Sequence, residues 1–289
     1  GVWSRMPPRQ RMSILSRFAD LIEAQSEEFA LLDTLDMGKP ISEMLTVDVP
    51  LALACLRFTA ECIDKLQGTV GATANDVLSY VIHQPLGVVG CIVPWNYPLL
   101  MTVWKIAPAL AVGNSVVLKP AEQSPLSALL LARLFIEAGG PPGVFNVVNG
   151  YGPEAGRALA LHPDVAKIAF TGSVEVGKLM MTYSGQSNLK KVTTECGGKS
   201  PHVIMADAPD LAMAADWAAM GIFGNQGEVC CAGSRILVQR DILPEFIELL
   251  RSRAETSYRP GDPLLATTGM GPLVDLKQQE RVLRYIDIG

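Results

Sequence analysis

Three observations predict an α/β fold with a doubly wound parallel sheet for this sequence. Short apolar runs rich in β-branched residues recur at Val88–Val93, Ser115–Leu118, Val144–Val148 and Lys167–Phe170. Stretches with helical periodicity fill the intervals, over Leu99–Val112, Ser124–Ala138, Glu154–Leu161 and Glu175–Tyr183. Pairs such as Gly139-Gly140 and Pro141-Pro142 punctuate the joins. Strands that are apolar throughout belong to parallel sheets covered by helices on both faces. Ligands of such a sheet are expected at the carboxyl ends of its strands.

The elements follow in order. Residues 8–32 put Ile14, Leu15, Phe18, Leu21, Ile22 and Phe29 on one face with acidic residues between them, which predicts one amphipathic helix. A second helical stretch, interrupted by Pro50, runs to about Lys65 and carries Leu51, Leu56, Phe58 and Ile63. After the glycines at 68 and 71, Leu78–His83 and Gly87–Val93 read as strands. The alternating strands and helices of the sheet come next. Beyond Glu195 a second α/β unit reads as strand His202–Met205, helix Leu211–Phe223, strand Arg235–Gln239 and helix Leu243–Glu255. Two domains, 1–195 and 196–289, are expected, with a soft boundary because no linker or repeat marks it. The first residue is not Met, and Glu280 to Gly289 reads as a helix still running, so a C-terminally incomplete chain is expected.

Composition narrows the function. Hydrophobic residues make up 49% and charged residues 18% of 289, enough for a large core. A net charge of −5, with basic residues scattered, argues against a nucleic-acid or anionic-membrane partner. The longest apolar stretches are far shorter than a bilayer span. Six cysteines show no CxxC pair and no zinc-ligand spacing, so no metal is expected. Reduced thiols in a cytoplasmic setting are the default for so long and disulfide-poor a chain.

Three glycine segments invite a phosphate-binding reading. Gly150, Gly152 and Gly156 follow a strand and open a helix, but the spacing GxGxxxG is one residue too long for the dinucleotide fingerprint, and turn chemistry explains it equally. The segment from Gly172 to Gly177-Lys178 begins like a P-loop. Leu179 stands where that motif needs a hydroxyl for Mg²⁺, which disfavours an NTPase. What survives is Phe170-Thr171-Gly172-Ser173, a strand end leading to a helix whose free N–H groups suit a pyrophosphate. The third, Glu195-Cys196-Gly197-Gly198, sets a carboxylate beside backbone that can pass close to a ligand.

Two segments carry reactive chemistry. Asn225-Gln226-Gly227-Glu228-Val229-Cys230-Cys231 lies between a helix and a strand, and its polar residues and glycines predict an exposed turn around a thiol. An open polar turn can lower a thiol pKa and make it a nucleophile, while a packed cysteine is the plain alternative. Pro94-Trp95-Asn96-Tyr97-Pro98 ends the first strand of the sheet, so a rigid loop holds an amide at the ligand edge. That amide can donate to an oxyanion or tie up loop carbonyls.

The segments PWNYP, LKPAEQSP, FTGSVEVGK, ECGGKSP and NQGEVCCAGSR together resemble the NAD(P)-dependent aldehyde dehydrogenase superfamily, in its order and spacing and over the whole chain. Arg259-Pro-Gly-Asp-Pro-Leu and Asp207-Ala-Pro-Asp-Leu resemble the aminoaldehyde branch, γ-glutamyl-γ-aminobutyraldehyde dehydrogenases especially. The resemblance implies a Rossmann-like NAD domain followed by a catalytic domain, here partial. It implies Cys230 as the nucleophile toward an aldehyde, Asn96 as oxyanion donor, Glu195 as general base for hydrolysis and Lys105 as an aid to proton movement. For the cofactor it implies Val93, Trp95, Lys119, Glu122, Gly152, Gly156, Phe170, Gly172, Ser173, Val176 and Gly177. Around the substrate it implies Tyr97, Trp104, Val229 and Cys231, with the two aromatic rings able to face an ammonium or amide tail. A homodimer or homotetramer is the implied assembly. Glu228 stands where the family often has Gln, and its charge is expected to oppose thiolate formation. Cys196 replaces a frequent Leu. A CoA-acylating enzyme shares the fold and nucleophile but typically lacks the glutamate, and a non-catalytic protein would not need Asn96, Glu195 and Cys230 together.

Overall fold

The computed structural model describes residues 1–289. Helices α1 (Val2–Arg5), α2 (Pro8–Ala24), α3 (Ser26–Met37), α4 (Ile41–Glu43) and α5 (Val49–Glu61) open the chain, with a π-turn over Met44–Asp48 leading into α5. The single helix expected over 8–32 is two. Gln25 leaves helical geometry (φ −115°, ψ 25°), and Phe18 and Phe29 are fully buried on either side of the break. Pro50 does not interrupt its helix. It sits in the first turn of α5, where its missing N–H costs nothing.

The hairpin β1 (Thr69–Gly71) and β2 (Ser79–Val81) is antiparallel and exposed along its length. The expected sheet then forms from β3 (Val88–Ile92), β4 (Ser115–Lys119), β5 (Phe145–Val147), β6 (Val165–Gly172) and β7 (Lys191–Cys196). All neighbours are parallel, in the order β5-β4-β3-β6-β7. Helices α6 (Pro98–Ala111), α7 (Leu126–Glu137), α8 (Arg157–Leu161) and α9 (Val174–Gly185) connect them, a second π-turn over Gly152–Gly156 preceding α8. Strand order reverses between β3 and β6. Their carboxyl ends therefore part to leave a crevice, the usual ligand position of an open α/β sheet.

A cluster of 32 buried residues packs α2, α5, α6 and α7 against the sheet. Phe135 is its hub, meeting Trp3, Phe18 and Phe145 edge-to-face at 5.8, 5.6 and 5.9 Å. Each such fully buried large side chain contributes about 1.5–3 kcal/mol. The second unit is smaller: parallel β8 (Pro201–Ile204) and β9 (Arg235–Val238), with α10 (Leu211–Phe223) and α11 (Leu243–Ser257) closing on Ile204, Ala215, Ala218 and Phe246. Helix α12 (Leu276–Ile288) follows, its first turn capped by Asp275. No helix is long and apolar enough to cross a membrane.

Candidate active site

A cleft of about 270 Å³ opens at the strand-order reversal. Pro94-Trp95-Asn96 from the end of β3 and Thr171-Gly172-Ser173 from the end of β6 form one side; Gly197-Gly198, Val229 and Cys230 form the other. The sheet register explains this. Ile92 pairs with Phe170 and Thr171 with Glu195, so three strand ends reach the same level.

The thiol loop is held in an unusual backbone. Asn225, Gln226 and Gly227 are all left-handed, with φ of 47°, 57° and 76°. For the two non-glycine residues this conformation costs about 1–2 kcal/mol each, so surrounding contacts must hold it. They are present. Asn225 Nδ2 donates to the carbonyl oxygens of Asn96 (2.9 Å) and Glu228 (3.4 Å), its amide donates to Glu43 Oε2 (3.3 Å), and Gln226 Nε2 donates to the Pro272 carbonyl (3.3 Å). The Gly198 amide donates to the Cys230 carbonyl at 3.0 Å, which joins the segment after Glu195 to the thiol loop.

Asn96 meets the second reading of its amide and leaves room for the first. Its Nδ2 donates to the Glu228 carbonyl at 2.5 Å, tying the two loops together. A carboxamide has two N–H donors, so the second remains to serve an oxyanion in a fixed orientation. Asn96→Ala is expected to lower turnover about 10²- to 10³-fold, the usual loss for one such donor. The loss should fall on acylation, so a stopped-flow NADH burst of unaltered rate would remove Asn96 from the role.

The cysteine electrostatics differ from expectation. The Cys230 thiol is held above its ordinary value, first by partial burial and then by Cys231 beside it. No cation offsets these effects, so the open turn by itself does not produce a thiolate. Nor does Glu228 oppose one as a charge. Its carboxyl is buried and burial pushes it up to about 8, against the Val274 amide and the Lys39 charge, with Asp275 adding to the rise. Burial therefore favours the neutral form of Glu228. A raised native pKa means the folded state keeps a proton that the unfolded chain releases, so wild-type stability falls between the ordinary 4.5 and about 8. Glu228→Gln removes that loss. Its stability advantage should be absent at low pH, widen through this window by at most about 1.4 kcal/mol per unit of pKa difference, and level off above it. Urea unfolding at several pH values checks this; a gap independent of pH would show Glu228 already charged.

Glu195 ends β7 beside Thr171 and is exposed, just outside the cleft walls. Lys105 lies on α6 and, with Trp104, lines a separate cavity of about 350 Å³ that also includes Lys167 and Thr193. Burial holds the Lys105 ammonium below its ordinary range, while Cys91 and the Glu195 carboxylate pull the other way. Lys105 and Glu195 thus feel each other although neither lines the cleft. Trp104 is half exposed in that other cavity, and one face of Tyr97 is covered by the Lys39 ammonium, 3.5 Å from the ring centre. Trp104 thus faces the second cavity, and Tyr97 has one ring face occupied by Lys39. Cys231 is exposed but does not line the cleft.

The expected cofactor residues separate into groups. Trp95, Gly172 and Ser173 line the cleft, and the Ser173 hydroxyl caps α9 by accepting from the Val176 amide at 3.2 Å. Phe170 is buried behind them, and a Cβ at Gly172 would lie 2.6 Å from its ring, so only glycine lets the backbone pass there. Gly177 packs close to Cys196. Val93 is buried at the foot of the loop, its amide on the Lys119 carbonyl. Lys119 is buried at the end of β4, donates to the Pro120 carbonyl at 2.7 Å and pairs with exposed Glu122 at 3.3 Å. It also lines an almost wholly apolar slot of about 350 Å³ with Val148, Ala155 and Leu159. Gly156 packs against the Lys119 side chain, whereas Gly152 and exposed Val176 touch neither cavity.

These features fit a dinucleotide. The apolar slot suits a flat base, Lys119 and Glu122 suit a ribose, and the α9 N-terminus suits a pyrophosphate. Thr171, named above only as part of its strand end, has a buried hydroxyl without a partner at the cleft. Gln278 and Arg281 of α12 also line the cleft and were not anticipated. Their approach comes from the tertiary fold, and no local pattern signals it.

The aldehyde dehydrogenase family profile matches residues 1–289, the whole chain. The chain belongs to the aldehyde dehydrogenase family. It is 50% identical over 289 residues to the NADP/NAD-dependent aldehyde dehydrogenase PuuC of Escherichia coli (strain K12), covering 100% of this chain and 58% of that one. Among solved structures it matches the γ-glutamyl-γ-aminobutyraldehyde dehydrogenase of Burkholderia cenocepacia J2315, with a TM-score of 0.97 and 53% identity over 99% of this chain and 58% of that one. An indole-3-acetaldehyde dehydrogenase in complex with NAD⁺ matches equally, at TM-score 0.97 and 53% identity, with the same coverage. The chain thus spans somewhat over half the length of the family members it matches, and the family membership it predicted from five motifs holds along all of it.

Proposed function

We propose that the full-length protein oxidises an aldehyde to a carboxylic acid with NAD, through a covalent intermediate on Cys230. The observation that carries this reading is the cleft in which Cys230 and the oriented Asn96 amide share walls with the N-terminus of α9. The exposed Cys230 thiol gives up its proton to solvent, its sulfur attacks the carbonyl carbon, and the carbonyl electron pair moves to oxygen. The second N–H of Asn96 and the backbone N–H of Cys230 stabilise that oxyanion. NAD, when bound, supplies the acceptor for the hydride lost from the thiohemiacetal carbon. A thioester on Cys230 remains, and Glu195 takes a proton from the water that hydrolyses it. Lys105, within the field of Glu195, suits a part in carrying that proton away. Glu195 favours release of a free acid over transfer to a thiol carrier.

NAD is the preferred cofactor in this reading. A 2′-phosphate near the exposed Glu122 would meet a carboxylate, and two unit charges about 4 Å apart repel by up to ~4 kcal/mol at an effective dielectric of 20, less after relaxation. Replacing Glu122 by Gln or Ser is expected to narrow the ratio of kcat/KM for NAD over NADP; equal use by the wild type would count against this assignment.

An aminoaldehyde is the proposed substrate class, supported by the name of one similar solved structure and by the two sequence segments that resemble that branch. A self-associating assembly is supported by the exposed β1–β2 hairpin, where Val70, Leu78, Tyr80, Val81 and Ile82 find no cover. Six free cysteines without a disulfide suit a reducing, cytoplasmic compartment. An aldehyde panel on the full-length protein, spanning aliphatic, aromatic and amino-substituted compounds, tests the reading. No NADH with any of them would reject it, and activity confined to unsubstituted aldehydes would reject the substrate class alone.

A further inference from the structure

The Asn96 and Cys230 loops meet over a buried cation that the reaction above does not use. Lys39 follows the left-handed Gly38 at the end of α3, and its side chain is fully buried. Its Nζ lies 2.9 and 2.8 Å from the two oxygens of Asp48, 3.8 Å from Glu43 Oε1 and 3.5 Å over the Tyr97 ring. Asp48 is equally buried and closes the π-turn over Met44–Asp48. Such turns re-aim one side chain inside an otherwise regular helix and gather at functional sites.

Stability does not account for this pair. Desolvating both charges offsets most of their attraction, and apolar residues of similar volume do as well or better. What the cation has is connections. Tyr97 adjoins Asn96, so the ammonium on its ring bears on the proposed oxyanion donor. Glu43, the second carboxylate at Lys39, accepts the Asn225 amide with its other oxygen. Asn225 in turn donates to the carbonyls of Asn96 and Glu228, at the neck of the thiol loop.

We infer that Lys39, with Asp48 as its counter-ion, is a positioning residue that fixes the separation between the Asn96 amide and the Cys230 thiol. The inference deepens the aldehyde-oxidation reading and, for its catalytic consequence, rests on it. A misplacement of about 1 Å between reacting groups is enough to cost on the order of 100-fold in rate.

The test uses the full-length protein with NAD. Lys39→Met alone would strand a buried carboxylate, so the variant of choice is K39M/D48M, which removes both charges at similar volume. Its pre-steady-state NADH burst is expected to slow roughly 10- to 100-fold, with KM for NAD within about twofold of wild type. Amide hydrogen exchange of the resting protein should accelerate over residues 224–231 and not in the central strands. K39R keeps a cation that can stack on Tyr97 and pair with Asp48, and should recover most of the burst. A double variant with wild-type burst and unchanged exchange over 224–231 would overturn the inference. So would loss of the burst together with NAD binding and thermal stability, since that describes a structural pair only. If the wild type makes no NADH from any aldehyde, the functional reading fails, and the exchange measurement decides the positioning of the loop by itself.

Discussion

Cys230→Ala is expected to abolish aldehyde-dependent NADH production by the full-length protein, while Cys231→Ala retains most of it. The two thiols are adjacent and both exposed, so exposure does not choose between them. Geometry does. Cys230 lines the cleft with Asn96, Gly172 and Ser173, and its own carbonyl is held by the Gly198 amide; Cys231 does neither. Successive side chains in a turn diverge, so one cleft cannot orient both sulfurs toward the Asn96 amide. A side chain cut back to its Cβ methyl has no sulfur with which to form the covalent intermediate, and the remaining machinery then has nothing to act on. Cofactor binding should survive, because the apolar slot beside Lys119 and the α9 N-terminus lie on the sheet side. Steady-state NADH production and NAD titration of each variant check this. An active Cys230→Ala with an inactive Cys231→Ala would reverse the assignment.

The sheet was legible because its central strands are apolar on both faces, and a run such as Val88–Val93 has no helical alternative at that length. The edge strand β7 was not anticipated. Along Lys191–Cys196 exposed and half-buried residues alternate, with Lys and Thr among them, and so little apolar surface leaves a weak signal. The break at Gln25 escaped for a related reason: the apolar face continues in register from α2 into α3, and only tertiary packing shows the turn. In the site, Asn96 and Cys230 could be read because each sits in a short rigid or glycine-rich segment. Trp104 sits on α6 and faces another cavity, a placement that its local sequence does not signal. The neutrality of Glu228 and the raised Cys230 thiol depend on burial and on neighbours distant in sequence, as does the whole arrangement around Lys39. Such quantities belong to the folded chain: the open turn suggested a lowered Cys230 thiol, and burial beside Cys231 raises it.

Glu195→Gln is expected to leave a burst of NADH followed by slow turnover, with steady-state kcat lowered roughly 10²- to 10⁴-fold, the range for loss of a general base. Acylation of Cys230 needs the thiol, the Asn96 amide and a hydride acceptor, none of which the substitution removes. Hydrolysis of the thioester needs a base within reach of the attacking water. Glu195 stands at the end of β7, paired with Thr171 and exposed, so water has access to its carboxylate. Two residues on, the Gly197-Gly198 backbone enters the cleft and bonds to Cys230, which ties the end of β7 to the thiol loop. Gln preserves size and can still orient water, but it has no site to accept the proton. The burst should therefore equal about one NADH per active site, and the slow phase should quicken with an added small nucleophile such as hydroxylamine. Substituting Glu195 also removes a carboxylate that raises the Lys105 pKa, so the slow phase should carry an altered pH profile. Rapid-mixing fluorescence of NADH, followed by the steady rate across pH, gives both readings. A full-rate steady state without a burst would take Glu195 out of hydrolysis and leave the base to be sought elsewhere.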